Sequence, residues 1–520
     1  MRKHGFVCLL LSFCLLLCGC NRGAITDTPE NEKGQESKGH KFHILYNETD
    51  SFNPYEANTK ENRELFQLLY DPLISLDTNF EPVYKIAESV TVSDKLCTVT
   101  IKQILHSDGS ALTAEDVVYS ALLAKNSSTI YASQLAVVKD VYSAGNNTVV
   151  FELEKADPFF CNLLDFPIIK KWSETIKSED NILLPPIGAG RYVIDLSSAT
   201  LSPNQNYYGE QQKIENIYLI NAPGRESIEH YVSSGVVSIC YSDFSNNTVP
   251  QMSGIKASVP LNNLVFLGVN MQNWLLSNQY LRYAISSAID RTEIVTDAYY
   301  GNGLVADGPF HPLWKHGKGF QTLQNKANTQ ISVVNLEKIG YNSMDSEGFR
   351  VDAKGNRLKL RLLLNSDNNA RIVAGRLIAA RLAKVGIEVI IDAVDYETYL
   401  SRLQNKQFEL YLGEVRLLNN MDLSELVTEG GSAAFGIAPA APSEEGVVLE
   451  GITLTTSTAV SGFYNGEYTI GDVASAFLSE MPIIPILYRN GITMFTPDIK
   501  EAPTVCSGDL FCDINNYSFK

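Results

Sequence analysis

The stretch from Leu358 to Ile391 constrains the fold more than any other part of this 520-residue chain. The apolar run Leu358 to Leu364 reads as a strand, Arg371 to Val385 carries apolar residues at helical spacing and closes at Gly386, and Ile387 to Ile391 is a second strand-like run. Two strands joined through a helix pair in parallel, and a parallel pair needs helices on its faces to bury it. An α/β body is therefore expected, and an all-helical or all-strand one is excluded. Further strand candidates at Leu96 to Leu105, Thr148 to Leu153, Arg191 to Ile194, Ile217 to Ile220 and Leu264 to Asn270 agree with this class. His106-Ser-Asp-Gly109 reads as a turn leading to a helix. That helix starts at Thr113 as N-cap, with Glu115 and Asp116 in its positively polarised first turn and Val117/Ala121 and Val118/Leu122 on one face. Another helix is predicted over Tyr280 to Tyr300, with Leu281, Ile285, Ala288 and Ile289 on its apolar side and Gly301 as its stop. No internal repeat is visible.

The amino-terminal segment is of a different kind. Met1-Arg2-Lys3-His4 precedes an apolar run from Phe6 to Cys18 broken only by Ser12, shorter than the roughly 20 residues a membrane-crossing helix needs. It reads as an export signal over residues 1–19. Its end, Leu17-Cys18-Gly19-Cys20, is similar to a bacterial lipobox, in which a small residue precedes the cysteine that is lipidated. Cys20 is the expected lipidation site, with a plain secretory signal ending in Cys as the alternative. The polar stretch that follows, to residue 40, has no apolar period and reads as a flexible tether. Five cysteines lie beyond it, an odd number, and Cys506 and Cys512 are spaced to close a small loop as a disulfide.

Composition excludes several function classes. Hydrophobic residues at 45 % and charged residues at 19 % fit a folded globular body and not a disordered or polytopic chain. The 42 basic against 59 acidic residues give a net charge of −17, which repels nucleic acid, so no nucleic-acid partner is expected. Chemistry-bearing motifs are missing: there is no His-Glu-x-x-His, Gly-x-Ser-x-Gly, phosphate-binding Gly-x-x-x-x-Gly-Lys-Ser/Thr or, past the leader, Cys-x-x-Cys. Gly188-Ala-Gly190 lacks the third glycine of a dinucleotide loop and reads as a turn. His311 and His316 are five apart, the wrong spacing for one metal on a helix, and read as surface or loop histidines around Pro312 and Trp314; His40 and His43 read as polar residues at a strand's start. No catalytic residue, metal or cofactor is expected.

One block does carry a resemblance. Leu105-His-Ser-Asp-Gly-Ser-Ala-Leu-Thr-Ala-Glu-Asp-Val-Val-Tyr-Ser120 resembles the signature of family 5 extracellular solute-binding proteins, the peptide- and nickel-type binding subunits of ABC importers. Similar segments follow in the family's order: Ser51-Phe-Asn-Pro54, Pro186-Ile-Gly-Ala-Gly-Arg-Tyr192, Asn206-Tyr-Tyr-Gly209, Leu281-Arg-Tyr-Ala-Ile-Ser-Ser-Ala-Ile-Asp-Arg291 and Pro482-Ile-Ile-Pro-Ile486. The resemblance implies a type II periplasmic-binding-protein-like α/β fold of two lobes with a hinge, and an extra domain inserted in the first lobe. Mapped here, residues 41–75, 188–270 and 489–520 form lobe I, 76–187 the inserted domain and 271–488 lobe II. It implies a monomeric receptor tethered on the outer face of the cell membrane that captures a small solute, foremost short peptides, and hands it to permease and ATPase subunits. A nickel chelate, an opine, a sugar or a signalling peptide are alternative ligands; an exported lipoprotein enzyme or an adhesion module is the alternative outside the class.

In that family the cleft contacts come from the loop after the first strand, the segment following a Gly-x-Ile-Asp-like stretch, here after Ser234-Gly235, and the loop after a strand beginning Phe-Asp, here Phe408-Glu409-Leu410. The resemblance carries these roles to Asn58 and Thr59, to Tyr241 and Ser242, to Tyr396, and to Glu414, Val415 and Arg416. Peptide binders often place Gly-Trp and then an acid on the ligand's amino terminus, whereas this chain has Gly413-Glu414 and Leu417 near the acid's place. Asp422 or Glu414 then takes that role, or the ligand lacks a free amine. Arg416 suits a ligand carboxylate. Against these stand plainer readings, with Glu414 and Arg416 paired to each other and Tyr241 and Tyr396 merely packed.

Overall fold

The computed structural model describes residues 41–244, 251–320, 323, 325–437, 447–449 and 452–520. The export signal, Cys20, the tether and His40 lie outside the described residues. The parallel unit that the sequence announces is present as strand Lys359–Asn365, helix Asn369–Ala383 and strand Glu388–Val394, paired from Lys359 with Glu388 to Asn365 with Val394. The Asn368 side chain caps the helix by accepting from the Arg371 N–H. Past its other end Gly386 sits at φ +88, in the left-handed region, where a side chain would also meet Arg350 Cγ at 2.6 Å.

This unit is one flank of a seven-stranded sheet ordered Ile239–Ser242, Ile483–Phe495, Ile255–Val269, Leu410–Arg416, Lys359–Asn365, Glu388–Val394, with Gly303–Val305 also on Ile483–Phe495. Its two longest strands pair antiparallel, and the register shifts twice, between Pro260 and Leu264 and between Val265 and Phe266. Such bulges bend a strand and raise its twist, which lets one strand pass from one neighbourhood to another. A four-stranded sheet holds Phe42–Tyr46, Ile217–Asn221, Thr200–Pro203 and Tyr192–Asp195 in that order, its first pair parallel. His43 lies on its edge strand. A second four-stranded sheet, antiparallel throughout, is ordered Ala87–Ser93, Leu96–Ile101, Thr148–Leu153, Val138–Ser143. No helix among the described residues is long and apolar enough to cross a membrane.

The signature block folds for local reasons. Helix Ala114–Lys125 begins after Thr113, whose N–H and hydroxyl both donate to the Asp116 carboxylate at 2.8 and 2.9 Å. The other Asp116 oxygen accepts from the Lys171 N–H at 2.9 Å, and the fully buried His106 ring stands 3.4 Å away. Burial works against this carboxyl, yet the bonds from His106, Lys171 and Thr113 hold it below its usual range. Gly188 and Gly190 form more than a turn. The backbone of Gly190 bonds to Leu69, and a Cβ there would stand 2.3 Å from the Leu69 carbonyl carbon.

Two expectations are corrected. The helix foreseen over Tyr280 to Tyr300 is two helices, Gln279–Ala288 and Arg291–Asp297. The chain leaves helical geometry at Ile289 and Asp290, and the Asp290 carboxylate caps the second helix by accepting from the Glu293 N–H. His311 is not a surface histidine: it is fully buried, its ring packed edge-on to Phe80 and Tyr488, and burial pushes its pKa down to about 3. The neutral ring accepts from the Leu313 N–H through Nδ1.

Candidate functional site

A cavity of about 1140 Å³ lies within the body. One wall is helix Lys60–Leu69, which turns Lys60, Arg63, Glu64 and Gln67 inward at one-turn spacing. A second is helix Arg225–Ser233, with Arg225 and Glu229 paired at 2.6 Å. Tyr241 and Ser242 enter from the edge strand of the seven-stranded sheet, Tyr131 and Asp165 also line it, and residues 507–510 enter from a turn flanked by Cys506 and Cys512. Those two thiols face each other across the turn.

The electrostatics divide into gripped and ungripped charges. Arg191 donates to Asp509 and to the Phe511 carbonyl, while Asp71 beside it accepts from the Tyr208 hydroxyl at 2.5 Å. Burial outweighs Arg191, Lys85 and the Tyr208 bond and raises the Asp71 pKa. Arg416 ends strand Leu410–Arg416, opposite Asn263, and its exposed guanidinium makes no hydrogen bond or ion pair among the described residues. Its charge is felt by Asp165, Tyr131 and Tyr241 around it. Asp165 accepts from the Gln134 and Asn419 amides at 2.5 and 2.8 Å, and burial pushes its carboxyl up to about 6 against those bonds and Arg416.

On the helix wall Lys60 Nζ donates to the Tyr241 carbonyl at 2.6 Å and lies 5.9 Å from that ring's centre. Its contact with Glu64 is longer, 3.7 Å, and Glu64 Oε1 is buried with no hydrogen-bond partner among the described residues. Burial drives the Glu64 carboxyl up to about 7, with Lys60 opposing and Glu61 assisting.

Of the residues singled out from sequence, Tyr241, Ser242 and Arg416 line this cavity. Asn58 and Thr59 sit just before its first helix wall, where Asp50 accepts from both backbone N–H groups and from the Thr59 hydroxyl at 2.6 Å. Tyr396 starts helix Tyr396–Gln404, half-exposed, its N–H donating to Asp367. Val415 pairs with Leu264 inside the sheet. Glu414 is not paired with Arg416. It takes the Arg489 guanidinium at 2.7 Å, Arg371 at 3.2 Å and the Asn263 amide at 2.8 Å. Burial pushes its carboxyl up, but Arg489 and Arg371 win and hold it below its usual range. Asp422 accepts from Lys155 at 3.1 Å and from Ser424, and neither it nor Glu414 lines the cavity. Lys60, Glu64, Tyr131 and Asp165 were not foreseen. The sequence signal for the first two was the i, i+4 pair on one polar helix face, which is indistinguishable from a solvated surface. No cluster of three or more metal-ligating side chains occurs among the described residues.

Comparison with known proteins places this geometry. Residues 81–422 match the profile of the bacterial extracellular solute-binding proteins, family 5. The oligopeptide-binding protein AppA of Bacillus subtilis is 23 % identical over 420 residues, 76 % of this chain and 77 % of AppA. Its structure in complex with a nonapeptide superposes with a TM-score of 0.56 at 20 % identity, covering 92 % of this chain and 99 % of that one. NikZ from Campylobacter jejuni in complex with Ni(L-His) superposes with a TM-score of 0.60 at 16 % identity, covering 92 % and 99 %. Both show the same fold.

Proposed function

We propose, for a chain that belongs to the bacterial extracellular solute-binding proteins of family 5 and is therefore a binding protein and not an enzyme, that its solute is a short peptide held in the 1140 Å³ cavity. The observation that carries this is the cavity's size together with the charged groups in its lining. It exceeds the roughly 300–1,000 Å³ of ordinary small-molecule sites and offers a free guanidinium at Arg416 and carboxylates elsewhere on its wall. Arg416 takes the ligand's carboxylate, bidentately where the approach is in plane. Tyr241 and Tyr131 offer amphipathic surface to the side chains.

In this reading the chain is anchored through lipid at Cys20, spaced from the membrane by residues 21–40, and passes its peptide to an ABC permease. Lobe I comprises 41–75, 188–270 and 489–520, the insertion 76–187 and lobe II 271–488, closing on the ligand by hinge motion. Ligand binding stabilises the folded state by mass action, so a thermal-shift screen is the direct test. Pools of short peptides should raise the melting temperature, and nickel–histidine or sugar pools should not. A response to nickel–histidine alone would replace the peptide with a metal chelate. Mass spectrometry of the intact membrane-extracted protein should find acyl chains on Cys20; an unmodified cysteine there would leave a plain secreted receptor.

A further inference from the structure

The acid that this chain lacks beside Gly413 has to be supplied from elsewhere if the peptide's ammonium is to be recognised. Glu414 is fully committed to two guanidiniums and an amide, and Asp422 to Lys155 and Ser424. Asp165 has an amide on each oxygen. Glu64 differs from all three. It lines the same cavity as Arg416, its buried Oε1 has no hydrogen-bond donor among the described residues, and its nearest cation stands 3.7 Å away with a stronger bond of its own to the Tyr241 carbonyl. A buried carboxylate without donors is costly, and a donor brought by a ligand relieves that cost.

We propose that Glu64 is the specificity-determining residue that accepts the ligand's ammonium, so that this receptor selects peptides with a free amino terminus from helix Lys60–Leu69 instead of from the strand loop after Gly413. This rests on the peptide reading given above. The groups facing Glu64 are Lys60, Glu61 and Arg63 on its own helix, Cys240 and Tyr241 on the edge strand and Asp243 after it; burial holds the Cys240 thiol and the Tyr241 hydroxyl in their neutral forms, and the two neighbouring acids, Glu61 and Asp243, add to the attraction for a cation. The free carboxyl titrates near pH 7, so an incoming ammonium ionises it and a proton leaves with binding. Affinity then rises with pH through about 7 and falls again above about 8, where the ligand's own amine loses its proton.

The test presents the protein with two synthetic libraries of three- to five-residue peptides, identical except that one is N-acetylated, and identifies what is retained by mass spectrometry. Free-amine peptides should be retained at least ten-fold over acetylated ones, and Glu64→Gln should erase the preference while still binding. For the best retained peptide, calorimetry at pH 7 in buffers of different ionisation enthalpy should show a fraction of a proton released by the wild type and none by Glu64→Gln. Equal retention of acetylated and free peptides, or a proton count unchanged by the substitution, overturns the role of Glu64 and leaves the peptide reading standing. Retention of neither library overturns both.

Discussion

Glu414 and Glu64 are both largely buried carboxylates in contact with cationic side chains, and burial pushes both toward the neutral form, yet only Glu64 ends there. Glu414 receives two guanidiniums and an amide, which together repay its removal from water and keep it ionised. Among the described residues Glu64 has one ammonium at 3.7 Å and no donor on Oε1, and its carboxyl rises to about 7. What separates a structural staple from a waiting contact is the number of donors that the fold itself supplies. Burial alone does not distinguish them.

Breaking the staple should have the largest effect. Arg489→Ala leaves Glu414 with Arg371 and frees the Asp243 carbonyl that Arg489 also holds, so unfolding free energy should fall by about 3–5 kcal/mol in a denaturant titration. A loss under about 1 kcal/mol would mean that the two clusters do not differ in kind. Next comes the pH profile of the ligand-free protein. Because the Glu64 pKa is raised above its unfolded value, its contribution is most favourable below about pH 4.5 and is lost as pH rises through about 7. Glu64→Gln should therefore raise stability at pH 8, by up to about 3 kcal/mol, and leave it nearly unchanged at pH 4. Asp165 and Asp157 titrate near 6 with the same sign, so some slope will remain in the variant. Smallest in stability is Arg416→Ala. An exposed side chain without partners among the described residues should change the melting curve by less than about 0.5 kcal/mol while lowering peptide affinity at least ten-fold; unchanged affinity would remove it from the site.

The same contrast explains what could be read in advance. The β–α–β unit and the capped helix after Thr113 were legible because strand and helix periods, caps and Gly386 are all local signals. The Asp290 break was missed although an aspartate before Arg-Thr-Glu is a capping signal, because the apolar face of the first helix runs on through Ile289. Site residues were less legible. Tyr241, Ser242 and Arg416 were placed by resemblance, whereas the partners of Glu414 lie 43 and 75 residues away in sequence and no spacing rule connects them. Glu64 looked like an ordinary charge on a solvated helix face, since its burial comes entirely from what packs over it. His311 was misread for the same reason: its neighbours Phe80 and Tyr488 are far along the chain.

Arg191 and Asp509, which meet at the cavity wall, are 318 residues apart, and the wall as a whole draws on positions from Lys60 to Leu510. A nascent chain threaded outward from its amino terminus therefore does not possess this cavity until residue 510 has emerged. Contacts of such separation also form slowly, because the long loops must close before any of them is rewarded. The cavity wall is thus complete only once Asp509 has met Arg191, and any truncation before residue 509 should abolish ligand capture there outright and not merely weaken it.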